Sequence, residues 1–199
     1  MLEQGLFRSL LDVQCFDLRA VDSFRDNPRH SAMSASMYAN PWNKGAVVNS
    51  LSAMILGAAE VDLDFNVNVT TTSDGRIIGG SGGHSDTAAG AELAIVTTRL
   101  RAGSVPKVVE SVRTVTTPGE TIDVVVTEAG IAVNPLRLDV RERLVSAGLP
   151  VVSIEELFAK ANEGLESRPS RAATSDEIVG IVEYRNGTIL DAIHRAEHP

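Results

Sequence analysis

The chain has 199 residues, 43% of them hydrophobic and 22% charged, which suits one domain, or one and a small appendage, and excludes a low-complexity or disordered protein. A net charge of -8 argues against nucleic acid as the main partner, because neutralising phosphate takes a basic face. A single cysteine, Cys15, excludes an intrachain disulfide and reads as a cytoplasmic chain, and no apolar run approaches the ~18 residues of a membrane span.

In chain order, residues 1–10 read as the tail of a helix capped at Gly5, and residues 11–16 as a strand in which Cys15 is a buried small hydrophobe. Leu18, Val21 and Phe24 recur at helical spacing until Asn27-Pro28 stops them. Residues 29–45 gather Met33, Met37, Tyr38, Asn40, Pro41, Trp42 and Asn43, either as a loop packed on a core or as a pocket wall. Residues 46–48 and 53–59 read as buried strands.

Residues 60–70 alternate strictly. An unbroken strand would place Glu60, Asp62, Asp64, Asn66 and Asn68 on one face. A turn near Asp64 would instead divide the stretch into two strands, with residues 70–75 closing a hairpin. Residues 91–98, 107–115, 123–127 and 131–134 read as strands, with Pro118-Gly119-Glu120 as a turn. Residues 136–147 read as a helix, and Ser153 with Glu156 forms a capping box that opens another, to about Asn162. The fold expected is α/β: a mixed, mostly parallel sheet with flanking helices and a C-terminal hairpin turning at Asn186-Gly187. The organisation expected is one domain over residues 1–165, a linker over 166–175 and the hairpin over 176–199.

The stretch with the most chemical content is Arg76-Ile-Ile-Gly-Gly-Ser-Gly-Gly-His-Ser-Asp-Thr-Ala-Ala-Gly-Ala91. Four glycines fall within five residues, followed by a polar helix start with Asp86 as a candidate cap. Glycines let a ligand approach the backbone, and successive N–H groups form a concavity for an anion or a developing oxyanion. No Lys-Ser/Thr follows, so this is not a P-loop, and Ser85 stands where a dinucleotide fingerprint needs glycine. His84-Ser85-Asp86 are chain neighbours and do not face one another as a triad. No pair among His30, His84, His194 and His198 has metal-ligand spacing beside a carboxylate cluster, so no metal site is expected.

Five stretches together carry a resemblance. They are Ala35-Ser-Met-Tyr-Ala-Asn-Pro41, Gly57-Ala-Ala-Glu-Val-Asp-Leu-Asp-Phe-Asn-Val-Asn68, the glycine turn with its helix start, Thr116-Thr-Pro-Gly-Glu-Thr121 and Gly130-Ile-Ala-Val-Asn-Pro135. Over nearly the whole chain they resemble the α subunit of bacterial citrate lyase and, more distantly, the C-terminal half of the family I CoA-transferases. The resemblance implies exchange of citrate for acetate on the thioester of an acyl carrier protein. It implies a phosphoribosyl-dephospho-CoA group presented by that carrier, with no cofactor bound covalently to this chain. Its partners would be the carrier protein (the γ subunit), the β subunit that cleaves citryl carrier protein, and an N-terminal half of α that this sequence lacks.

By the same resemblance Gly82 and Gly83 supply backbone oxyanion donors. Gly79, Gly80 and Ser81, with Asn40, Glu60, Asp62 and Asn66, line the thioester site. The catalytic glutamate of ordinary CoA-transferases would fall ahead of Met1, so Glu60 does not take that role. The other reading is a non-catalytic half-domain of a split or truncated CoA-transferase that binds a partner chain or a CoA-like group.

Overall fold

The computed structural model describes residues 2–165 and 173–197. The chain forms two compact units, Met1–Ser50 and Leu51–Pro199.

In the first unit, β1 (Leu10–Asp12) and β2 (His30–Ala32) pair in parallel through the crossover helix α1 (Leu18–Asp26). The Asp17 carboxylate accepts from the Ala20 N–H at 2.7 Å and starts α1, and Ser34 caps α2 (Ala35–Ala39) in the same way. Of the helix expected over residues 1–10, the described residues 2–10 form none. Gly5 takes φ +70 and bonds back to the Leu2 carbonyl at 3.1 Å, closing a turn. So short a stretch, interrupted by glycine, has little helical stability of its own. The strand expected at residues 46–48 is replaced by a 3-10 turn, Val47–Ser50, because the Asn49 amide bonds the carbonyls of Asn43 and Lys44 and keeps the backbone wound.

The second unit is built on a five-stranded sheet. Its strands are β3 (Met54–Gly57), β6 (Ala94–Thr97), β9 (Val124–Thr127), β10 (Gly130–Val133) and β11 (Val151–Val152), in the order β11-β10-β9-β6-β3. Only the β9–β10 pair is antiparallel, so the sheet is mixed and mostly parallel. The parallel steps need crossovers, and helices α3 (His84–Gly90) and α4 (Leu138–Ser146) make two of them. Period two then sorts the side chains. Val125 and Ala132 join Val96, Ala88, Leu157 and Ala161 in the main core. Their neighbours Val124 and Val133 join Val140 of α4 in a second cluster. Helix α5 (Ile154–Asn162) begins at Ser153, whose hydroxyl accepts from the Glu156 N–H at 3.1 Å.

Three two-stranded pieces decorate the sheet: β4 (Glu60–Val61) with β5 (Val67–Asn68), β7 (Arg101–Ala102) with β8 (Val105–Pro106), and the long hairpin of β12 (Thr174–Glu183) and β13 (Ile189–Ala196). The long hairpin turns where Asn186-Gly187 announces it, with Gly187 at φ +86. Of the linker expected over 166–175, residues 166–172 lie outside the described residues. The strand expected over 107–115 forms only an isolated bridge, Val61 to Val108. Three of its later amides are taken by carboxylates instead of a ladder: Val112 by Asp62, Arg113 by Glu60 and Val115 by Asp191. Among the described residues no helix is long and apolar enough to cross a membrane.

Candidate functional site

The alternating stretch breaks at Asp64, so its polar residues do not share one exposed face. Phe65 holds φ +64, a conformation a bulky residue rarely adopts, and is buried. Asp62 stabilises this bend. Its Oδ1 accepts from the Asp64 and Asn66 amides at 3.0 and 2.9 Å, and its Oδ2 from the Asn66 side chain and the Val112 amide at 3.2 and 3.1 Å. Asn66 Oδ1 in turn accepts from the Gly119 N–H at 2.9 Å. A Cβ on Gly119 would stand 1.9 Å from the Asp64 carbonyl oxygen, so only glycine permits this approach.

Glu60 is also buried. Its carboxylate accepts from the Asn68 amide at 2.9 Å, from the Arg113 N–H at 3.2 Å and from the Ser73 hydroxyl. Beside it lies a closely bonded set of buried threonines: Thr70 meets Thr116 at 3.0 Å and Thr71 meets Thr114 at 2.8 Å. Asn134 donates to the carbonyls of Gly119 and Ile122 and holds the segment that faces the bend. These polar groups are spent on one another, as buried groups must be.

The glycine turn is the opposite case. Ile77 bridges Thr71, and the Ile78 N–H bonds the Thr70 carbonyl at 2.8 Å, which ends the extended segment. From there residues 79, 80 and 82 are exposed, Gly82 takes φ +54, and no heavy atom lies within 4 Å of a Cβ built on Gly79, Gly80 or Gly82. Among the described residues, none of the amides of residues 79–83 meets an acceptor, whereas the carbonyls of Ser81 and Gly83 accept from His84 and Thr87. Gly83, not Asp86, is the N-cap of α3; Asp86 lies in its first turn. A cavity of about 470 Å³ opens beside Ile78, walled by Ala59, Ile78, Ala102 and Val105 with Glu60 and Lys107 at its polar edge.

His84 fixes the helix start from behind. Its Nε2 lies 2.9 Å from the Gly57 carbonyl and so carries the proton; its Nδ1 therefore accepts from the Thr117 hydroxyl at 2.7 Å. Burial holds the His84 pKa below its ordinary value, against the opposing pull of the Gly57 carbonyl. The ring ties α3 to the end of β3 and to the threonine segment as a neutral group. Asp86 is pushed up by burial, with Arg185, 3.7 Å away, pulling the other way.

Of the residues singled out from sequence, Glu60, Asp62 and Asn66 gather around the bend, and residues 79–83 form the bare loop at the head of α3. Asn40 belongs to the first unit, where its side chain is engaged locally with Ser36 and with the Trp42 N–H. Sequence patterning read Gly119 only as a turn residue and gave no site role to Asn134 or Thr114. Their importance lies in contacts across 40 or more positions for Thr114 with Thr71, and 53 for Gly119 with Asn66.

Fold and site define an α/β domain with a mostly parallel mixed sheet, presenting a loop of unpaired backbone donors at the start of a crossover helix. Such a loop suits an anion or a carbonyl that gains negative charge. The family model described as "Citrate lyase, alpha subunit (CitF)" matches residues 1–196, and the chain belongs to that family. Its relatives include the citrate lyase alpha chains of Klebsiella pneumoniae, 48% identical over 196 residues, and Escherichia coli (strain K12), 46% identical over 195 residues. Each comparison covers 98% of this chain, which spans about 38% of the length of either relative. A crystal structure from Streptococcus mutans, described as the alpha subunit of citrate lyase in complex with citrate, matches with a TM-score of 0.92 at 44% identity, covering 99% of this chain and 39% of that one.

Proposed function

We propose that this chain contributes the thioester-binding part of a citrate:acetyl-carrier-protein transferase. The observation that carries the reading is the bare 79–83 turn in a chain of the citrate lyase alpha family. The substrate assignment is supported by the citrate held by the Streptococcus mutans relative.

In the exchange, a citrate carboxylate attacks the acetyl thioester carbon and the carrier thiolate leaves, giving a mixed anhydride. The thiolate then attacks the citryl carbonyl of that anhydride and acetate leaves. Both steps place negative charge on a carbonyl oxygen, and fixed N–H groups from Gly82 and Gly83 lower both barriers. Gly79, Gly80 and Ser81 allow the thioester to reach the backbone. Glu60 forms part of the wall of the cavity beside Ile78, while Asp62 and Asn66 hold the bend between β4 and β5. None of the three needs to exchange a proton. Asn40 keeps its place among the proposed binding residues on its motif alone. The thioester would be that of a phosphoribosyl-dephospho-CoA group on the carrier protein, with the β subunit consuming the citryl product in the cytoplasm.

The test is transfer from acetyl carrier protein to citrate, measured with this chain alone and with the further α-subunit length that its relatives carry. Citrate-dependent loss of the acetyl thioester, with citryl carrier protein formed, is the expected result. No transfer in either mixture by folded protein would leave the binding-only half-domain as the reading.

A further inference from the structure

The first unit holds a cluster that the glycine turn does not use. Asp12 ends β1, Cys15 follows three residues later, and His30 opens β2. One ligand atom from each lies within 4.8 Å of the other two. Asp12 Oδ2 is the shared vertex, 3.2 Å from His30 Nε2 and 3.5 Å from Cys15 Sγ. Tetrahedral zinc, with bonds of ~2.0 Å to nitrogen and oxygen and ~2.3 Å to sulfur, sets N···O and S···O edges of roughly 3.3 and 3.5 Å. Both edges are already present.

The imidazole is also oriented for the task. His30 is buried, its Nδ1 lies 3.1 Å from Ser23 Oγ on α1, and Phe24 packs edge-on against the ring. In the metal-free chain Nε2 donates to the Asp12 carboxylate and Nδ1 accepts from the Ser23 hydroxyl; with a cation bound the roles reverse, Nδ1 donating to Ser23 Oγ and the Nε2 lone pair facing the ion. A hydrogen bond of this kind behind a ligating histidine fixes its tautomer and ring angle. The Asp12 side chain keeps 31% exposure, which gives an ion a path from solvent and leaves room for water as a fourth ligand.

We propose that Asp12 Oδ2, Cys15 Sγ and His30 Nε2 bind a zinc-class divalent cation, with water completing the tetrahedron. The mixed sulfur, nitrogen and oxygen set favours zinc over calcium or magnesium, which want oxygen alone. On binding, the thiol proton passes to solvent and the ion replaces both contacts to Asp12 Oδ2. The ion would staple the loop after β1 to β2, each strand being only three residues long. Small units commonly gain stability from such a staple.

The test is titration of the full chain with Co²⁺ as a spectroscopic probe, followed by Zn²⁺. Expected are thiolate-to-cobalt absorption and tetrahedral d–d bands that saturate at one equivalent and vanish when Zn²⁺ is added. Cys15→Ser keeps a hydroxyl that can still donate to Asp12, so the fold should survive while the charge-transfer band disappears. Ser23→Ala should keep the band but weaken binding about tenfold. Absence of any band at stoichiometric cobalt, in protein shown to be folded by circular dichroism, overturns the site. So does zinc retained equally by wild type and Cys15→Ser after gel filtration. If a variant fails to fold, the wild-type titration alone decides.

Discussion

The bend between β4 and β5 and the glycine turn that follows it are both polar stretches of the same unit, and they are built in opposite ways. In the bend, four donors converge on the Asp62 carboxylate and three on that of Glu60. In the turn, five consecutive amides have no acceptor among the described residues. Carboxylates in a sequence draw the eye as chemistry, yet here they hold backbone in place. The backbone left over, which has no side-chain chemistry at all, is what remains available to a ligand.

The largest effect should come from filling the space behind the bend. Gly119→Ala drives a Cβ into the Asp64 carbonyl, 1.9 Å away, and backbone on both sides leaves nothing flexible to yield. We expect a loss on the order of 4 kcal/mol, or failure to fold, read from urea unfolding. Next is Asp62→Ala, which strands the amides of Asp64, Asn66 and Val112. A cost of about 3 kcal/mol is expected, and a cost near zero would show that water replaces the carboxylate and that the bend is not held as described.

Smaller effects should come from the helix behind the turn, and they can be read through pH. The folded His84 pKa lies below 6.5, so below that pH the unfolded chain binds more protons than the folded one. Stability from this group is full above about pH 6.5 and falls as pH drops toward the lower folded value. His84→Gln should flatten that slope below about pH 6.5. Asp86 has the reverse sign. Its folded pKa is raised above 3.8, so its charge opposes folding increasingly as pH rises above that value. Asp86→Asn should therefore raise the thermal midpoint at neutral pH, modestly because Arg185 already offsets part of the penalty. A lowered midpoint would mean that the Arg185 pair outweighs burial.

What the sequence revealed follows the reach of each interaction. Local signals held: Ser153 with Glu156 started α5, Asn186-Gly187 turned the long hairpin, and the glycine run led into α3. The turn near Asp64 was one of two readings of an alternating stretch. What decided it was the side chain of Asp62 binding backbone two and four residues on. Residues 107–115 have strand composition but lie alongside the bend with three of their later amides on distant carboxylates, and no local pattern encodes that. The same holds for Gly119, whose close approach is to residues more than 50 positions away in the case of Asn66. For the candidate site, the glycine loop was legible from spacing. The satisfaction of Glu60 and Asp62 was not, because it depends on partners supplied by the fold. The cluster of Asp12, Cys15 and His30 escaped for a similar reason: β1 and β2 bring it together across 18 positions between Asp12 and His30.

The measurement that bears most directly on the central claim is carrier-protein transfer by Gly80→Val, paired with its unfolding curve. Gly80 is exposed, its φ is not in the left-handed region, and nothing lies within 4 Å of its missing Cβ. The substitution should therefore leave stability within about 0.5 kcal/mol while screening the bare amides. If those amides stabilise the oxyanion, transfer should fall by about a hundredfold with the unfolding midpoint unchanged. Full transfer activity in that folded variant would contradict the assignment of the glycine turn as the thioester site.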